Sequence, residues 1–142
     1  MFDFYKPPIL EEKEQIFNAF ISLNKLLIEN IQVANLKNKL NENGADRKKI
    51  KSLGSIKTLE NFISDILKIE NSSELISPIY VLSDLRQLQG HFSDSSFDEK
   101  FKFCKDRLGL DEDCSHFDVY QALIEKLVEF FEILIKEIKA CR

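Results

Sequence analysis

Apolar residues return every three or four positions along most of this chain, the period of a helix that buries one face. Ile16, Phe20, Leu23, Leu27, Ile31 and Ala34 form the first such stripe. They predict helix one from about Ile9, after an extended lead ending in Pro7-Pro8, to about Leu40. Asn41-Glu42-Asn43-Gly44 predicts its end, because Asn and Gly tolerate the left-handed backbone that closes helices. A second stripe of Ile56, Leu59, Phe62, Ile63, Ile66 and Leu67 predicts helix two. Asn71-Ser72-Ser73-Glu74 offers capping side chains and a carboxylate for a first turn, so helix three is expected from near Glu74, with Pro78 early enough to be tolerated.

Residues 93–115 are polar and hold Ser-Asp-Ser-Ser followed by Phe97, Phe101, Phe103 and Leu108, which predicts a loop containing one short helix. From Phe117 onward, Tyr120, Leu123, Ile124, Leu127, Phe130, Phe131, Leu134 and Ile138 make the longest clean stripe and predict helix four. Alternation of period two never lasts, and no Asn-Gly hairpin separates two apolar runs, so strands are not expected. The expected fold is all-α, one domain spanning 1–142: an up-down bundle of four helices with an extra short helix between the third and fourth.

Composition supports that reading and narrows the partners. A chain of 142 residues can bury one continuous core, and four glycines with three prolines allow few turns and long elements. With 20 Lys and Arg against 24 Asp and Glu, the net charge of -4 disfavours broad attraction to a polyanion and leaves room for a local basic site. The three cysteines, Cys104, Cys114 and Cys141, are irregularly spaced, which favours a reducing compartment over a secreted disulfide scaffold. Neither a leader pattern nor a run of roughly 18 apolar residues occurs, so a soluble, cytoplasmic protein is expected.

One segment stands out chemically, Ser83-Asp84-Leu85-Arg86-Gln87-Leu88-Gln89-Gly90-His91. On a wheel at about 100° per residue, Leu75, Ile79 and Leu82 cluster and Arg86 falls within their arc. Leu85 and Leu88 flank it, and Asp84 points away. A guanidinium cannot shed its proton, so on a core-facing stripe it requires a carboxylate, a phosphate or a water-filled cleft. His91, just beyond Gly90, is one of two histidines and the residue type that exchanges protons near neutral pH.

The spacing Arg86-x4-His91 at the end of the third helix, followed by a loop and a long amphipathic helix, resembles the HEPN domain family over about Ile9 to Lys139. That family's signature is an arginine followed after four to six residues by a histidine. The resemblance implies metal-independent RNA cleavage, with no cofactor, and a place in a toxin or antiviral defence system whose partner is an antitoxin or a larger complex. Active members commonly carry Asn, Asp or His after the arginine; here that position is Gln87, which still donates and accepts. The toxin branch paired with nucleotidyltransferase antitoxins often has a tyrosine two residues beyond the histidine, whereas Phe92-Ser93 follows here.

The residue types suit the chemistry. Metal-free RNA cleavage requires deprotonating a 2′-hydroxyl, stabilising charge at phosphorus and protonating a 5′-oxygen. Histidine serves the first or third, and arginine's forked donors serve the second. One motif brings one imidazole, so a homodimer that juxtaposes two copies is expected. In another class, a noncatalytic helical bundle would bind a partner protein or a nucleotide.

Other candidates carry weaker signals. Arg47, Lys48, Lys49 and Lys51, with Lys57, form a basic stretch that reads as a solvated helix start or as a phosphate-steering patch beside the cleft. Cys104, Cys114, His116 and His91 are zinc-ligand types, but they lack the close Cys pairs of structural zinc, so no metal site is expected and Cys104 is expected to pack with Phe101, Phe103 and Leu108. Asp111-Glu112-Asp113 reads as a solvated loop. A phosphate-cradling glycine loop and a nucleophile elbow are both missing.

Overall fold

The structure, a computed structural model, describes residues 13–140. The expected first turn of helix one, the Pro7-Pro8 lead and Cys141 lie outside the described residues. Within them the chain is all-helical, in the order α1 (Lys13–Leu27), α2 (Val33–Glu42), α3 (Arg47–Lys51), α4 (Ser55–Asn61), α5 (Ser72–Leu75), α6 (Ser77–Leu88), α7 (Phe97–Arg107) and α8 (His116–Ala140). A π-helical turn over Phe62–Ile66 continues α4.

Helix one is in fact two helices, parted at residues 28–32. Asn30 marks the stop, since a short amide side chain competes for backbone partners. The Asn30 side-chain amide donates to the Leu26 carbonyl at 3.0 Å, and that of buried Asn24 donates to Glu29 Oε2 at 3.1 Å. Ile28 and Ile31 stay inward through the break, so the apolar period runs on unbroken. The predicted end after Leu40 is present: the Gly44 and Ala45 N–H groups close back on the Asn41 and Leu40 carbonyls at 3.1 Å each, with Gly44 at φ +93°.

The expected third helix is interrupted at Ile76, which divides α5 from α6. The expected short helix is α7. At the head of α8, the Asp118 N–H donates to Ser115 Oγ (3.0 Å) and the Ser115 N–H donates to Asp118 Oδ2 (3.1 Å), a reciprocal cap that starts the helix one residue before Phe117.

α6 is the central element and packs against α1, α7 and α8, while α2 packs against α3, α4 and the π turn. Ile79, Leu82 and Leu85 of α6 are fully buried in one cluster with Phe17 and Phe20 of α1 and Val119 and Leu123 of α8. Phe17 is the hub, with ring centroids 5.2 Å from Phe20, 5.2 Å from Phe92, 5.9 Å from Phe97 and 5.6 Å from Phe101. Tyr80 links α6 to α4, its hydroxyl donating to Glu60 Oε1 at 2.8 Å. Desolvation, then that carboxylate, pushes the Tyr80 phenol up to about 12.

Two outcomes follow in urea and pH titrations. Phe17→Ala lowers the unfolding free energy by roughly 3–5 kcal/mol, whereas Phe103→Ala, at a ring 58% exposed, costs under about 0.5 kcal/mol. Because the folded-state phenol pKa is raised, Tyr80's contribution is complete below pH 10 and fades as pH climbs toward 12. Tyr80→Phe removes the highest-pH component of the tyrosinate absorbance titration.

Candidate functional site

α6 runs out at Leu88, and Gly90, at φ +87°, turns the chain back; the His91 N–H then closes on the Leu88 carbonyl at 3.0 Å. Phe92 swings inward between Phe17 and Phe97, at 5.2 and 5.4 Å. Lys13 Nζ covers the same pair of rings, 4.5 Å from Phe92 and 4.1 Å from Phe97. With its neighbour anchored, His91 is left outside, and its Nδ1 meets Asp94 Oδ2 at 3.0 Å. A proton on Nδ1 donated to that carboxylate leaves Nε2 as the exposed acceptor.

Beside this pair lies an open groove of about 1050 Å³ between the end of α6 and α7, with Ile21 of α1 at one wall. Arg86, Gln87 and His91 all line it, so the structure brings the three predicted site residues into one cleft. Arg86 is not core-facing, however. The buried arc of α6 is Pro78, Ile79, Val81, Leu82, Leu85 and Leu88, and Arg86 is exposed at its edge in the last turn. Leu75 belongs to α5, beyond the break at Ile76, so it does not share the wheel on which Arg86 was placed. Among the described residues the Arg86 guanidinium makes no hydrogen bond or ion pair, and Gln87 Nε2 donates to Ser83 Oγ at 3.4 Å.

The groove's charges largely cancel. Asp84 accepts from Arg107 Nη1 at 2.9 Å, Asp106 pairs with Lys102 at 3.3 Å, and Asp94 holds His91. Arg86, Lys100 and Glu99 remain without an ion pair among the described residues. Such a surface fits one phosphate at Arg86 rather than a continuous anionic track.

The basic residues Arg47, Lys48, Lys49 and Lys51 sit elsewhere. They form α3, which packs on α2, and none lines the groove, so the placement beside the cleft is corrected. Asp46 caps this short helix by accepting from the Lys48 N–H at 2.9 Å, which matches the solvated helix start. Among the described residues no three His, Cys, Asp or Glu side chains gather as metal ligands. His116 instead stacks on Phe101, centroids 5.3 Å apart and rings 15° from parallel. Cys104 is buried beneath the groove, and desolvation, then Asp84, pushes its thiol up to about 12. Desolvation also raises the Cys114 thiol. Asp111, Glu112 and Asp113 are exposed in the loop before α8.

No family model, no curated protein and no solved structure matches the chain. Asp94 is the member that sequence reasoning missed. Its signal was His91-x2-Asp94 straddling a turn, a spacing at which a carboxylate reaches back to an imidazole.

Gly90→Ala tests how the turn places His91. A Cβ there meets nothing within 4 Å, so the strain is of the backbone alone. The substitution costs roughly 1–2 kcal/mol in urea denaturation. In the same chain, alkylation at pH 8 modifies Cys104 only after unfolding, because the folded state holds its thiol protonated.

Proposed function

We propose that this chain is a metal-independent endoribonuclease of the HEPN type. The observation that carries the reading is that a guanidinium with no ion pair among the described residues, Arg86, and a carboxylate-held imidazole, His91, line the same open groove. Arg86 binds the scissile phosphate and stabilises charge on its equatorial oxygens. His91 Nε2 takes the 2′-hydroxyl proton or returns one to the 5′-oxygen, and Asp94 orients the ring and balances the imidazolium. Gln87 supplies a further donor at the rim. Attack of the 2′-oxygen on phosphorus expels the 5′-oxygen, leaving a cyclic phosphate and a 5′-hydroxyl. DNA, lacking the nucleophile, is not cleaved.

One groove holds one imidazole. A homodimer in which a second copy faces it supplies the other proton-transfer group. A toxin or antiviral defence role in the cytoplasm, with an antitoxin or a larger defence complex as partner, follows from the resemblance. The second reading, a noncatalytic module that binds a protein or nucleotide, is favoured by the near-balanced charge of the groove, which Asp84, Glu99 and Asp106 bring about.

Single-stranded RNA in chelator decides between them. The native chain cleaves it with undiminished rate, while His91→Ala and Arg86→Ala each lose roughly 10²–10⁴ of the activity with the helical circular dichroism retained. Asp94→Asn loses less than His91→Ala. RNA left intact by the native chain, or cleavage unaffected by either alanine, removes the nuclease reading and leaves the binding module.

A further inference from the structure

α8 carries two apolar stripes, and the fold uses one of them. Tyr120, Leu123, Leu127, Phe130 and Leu134 are buried against α1 and α6. About 100° round the helix runs a second stripe, Ile124, Val128, Phe131, Ile135 and Ile138, at steps of four, three, four and three residues. Ile124 and Phe131 are half-buried, but Val128 is 53% exposed, Ile135 51% and Ile138 38%. Alternating steps of three and four are the spacing of a coiled-coil seam, in which each apolar residue fills a hole on a facing helix.

The charges beside this seam say what faces it. Glu125 and Glu132 border its first half, and Lys136 and Lys139 border its second. Lys126 and Glu129 fall on the far side of the helix, on the rim of a separate cleft between α8 and α6. In a parallel pair this charged flank would face the partner's opposite, core-packed flank and find no counter-charge; in an antiparallel pair it faces the same flank in reverse order, so the acidic half of each helix meets the basic half of the other. We infer that α8 pairs with α8 of a second copy of this chain, antiparallel, through Val128, Phe131, Ile135 and Ile138.

This contact is distinct from a meeting of two His91 grooves. No α8 residue lines the groove. The aromatic cluster that holds the His91 loop reaches α8 at His116, about 22 Å along the helix from Phe131 at 1.5 Å per residue. An antiparallel pair centred near Phe131 therefore carries its two grooves at opposite ends. The inference stands whether or not the groove cleaves RNA.

Sedimentation equilibrium of the full chain tests it. Val128→Glu or Ile135→Lys, both at exposed positions, halves the mass of the assembly and weakens association by roughly a hundredfold, with unfolding midpoints unchanged. At low salt, a chain with Glu125→Lys and Glu132→Lys self-associates about tenfold more weakly and recovers on mixing with a chain carrying Lys136→Glu and Lys139→Glu. A chain that is monomeric at every concentration overturns the inference, whether residues 1–12 or another protein then covers the stripe. So does an assembly whose mass Val128→Glu leaves unchanged.

Discussion

The fold and the candidate site both depend on the aromatic cluster around Phe17. Its ring touches one from its own helix, one from the loop after α6 and two from α7, and lies 6.4 Å from His116 at the head of α8. Edge-on and tilted contacts of this kind each contribute about 0.5–1.5 kcal/mol beyond simple burial. Their directionality matters more here than their sum. A loop of the composition Ser-Asp-Ser-Ser has little of its own to hold it, and Phe92 is the residue that fastens it to the core. Because adjacent side chains on a turn diverge, burying Phe92 is what turns His91 outward to Asp94.

Arg86 illustrates how a permanent charge is accommodated without burial. It occupies the last turn of α6, where the helix dipole favours a cation and where α7 stands off far enough to leave a groove. Arg107 faces the same problem and solves it differently, with Asp84 at 2.9 Å and Phe103 stacked at 5.1 Å. Two arginines near one cleft thus differ: one joins α7 to α6, and the other has its donors unengaged among the described residues. That contrast is what the proposed phosphate contact at Arg86 rests on.

How much of this was legible in the sequence depends on whether a signal was local. The end of α2 before Gly44 was readable because capping is written in adjacent residues, and the start of α8 near Phe117 because its apolar stripe begins there. The break at Ile28 was not, since Ile28 and Ile31 keep the apolar period while the backbone changes direction. Ile76 hid a second break, and the helical wheel that placed Arg86 in the core carried Leu75 across it. The groove was legible in its residues, Arg86, Gln87 and His91, but not in its charge, which depends on α7 bringing Asp106, Lys102 and Glu99 to face α6. The basic run at Arg47 was visible at once, yet its distance from the groove is a property of α2 and α3 packing.

α8 shows why one period can conceal two surfaces. Read along the chain, Phe130-Phe131 and Ile133-Leu134-Ile135 merge into a single broad stripe, and burial separates them: Phe130 and Leu134 inward, Ile135 outward, Ile133 toward the cleft beside α6. A helix that needed only to close its own core would carry polar residues at Val128 and Ile135, since an exposed branched aliphatic gains nothing from water and favours aggregation. Their retention at coiled-coil spacing, bordered by acids at one end and lysines at the other, is economical only if the face is covered. The fold thus separates two tasks along one helix. The first turn of α8, through His116, supports the loop that bears the imidazole, and the last three turns present a seam that can associate without disturbing it.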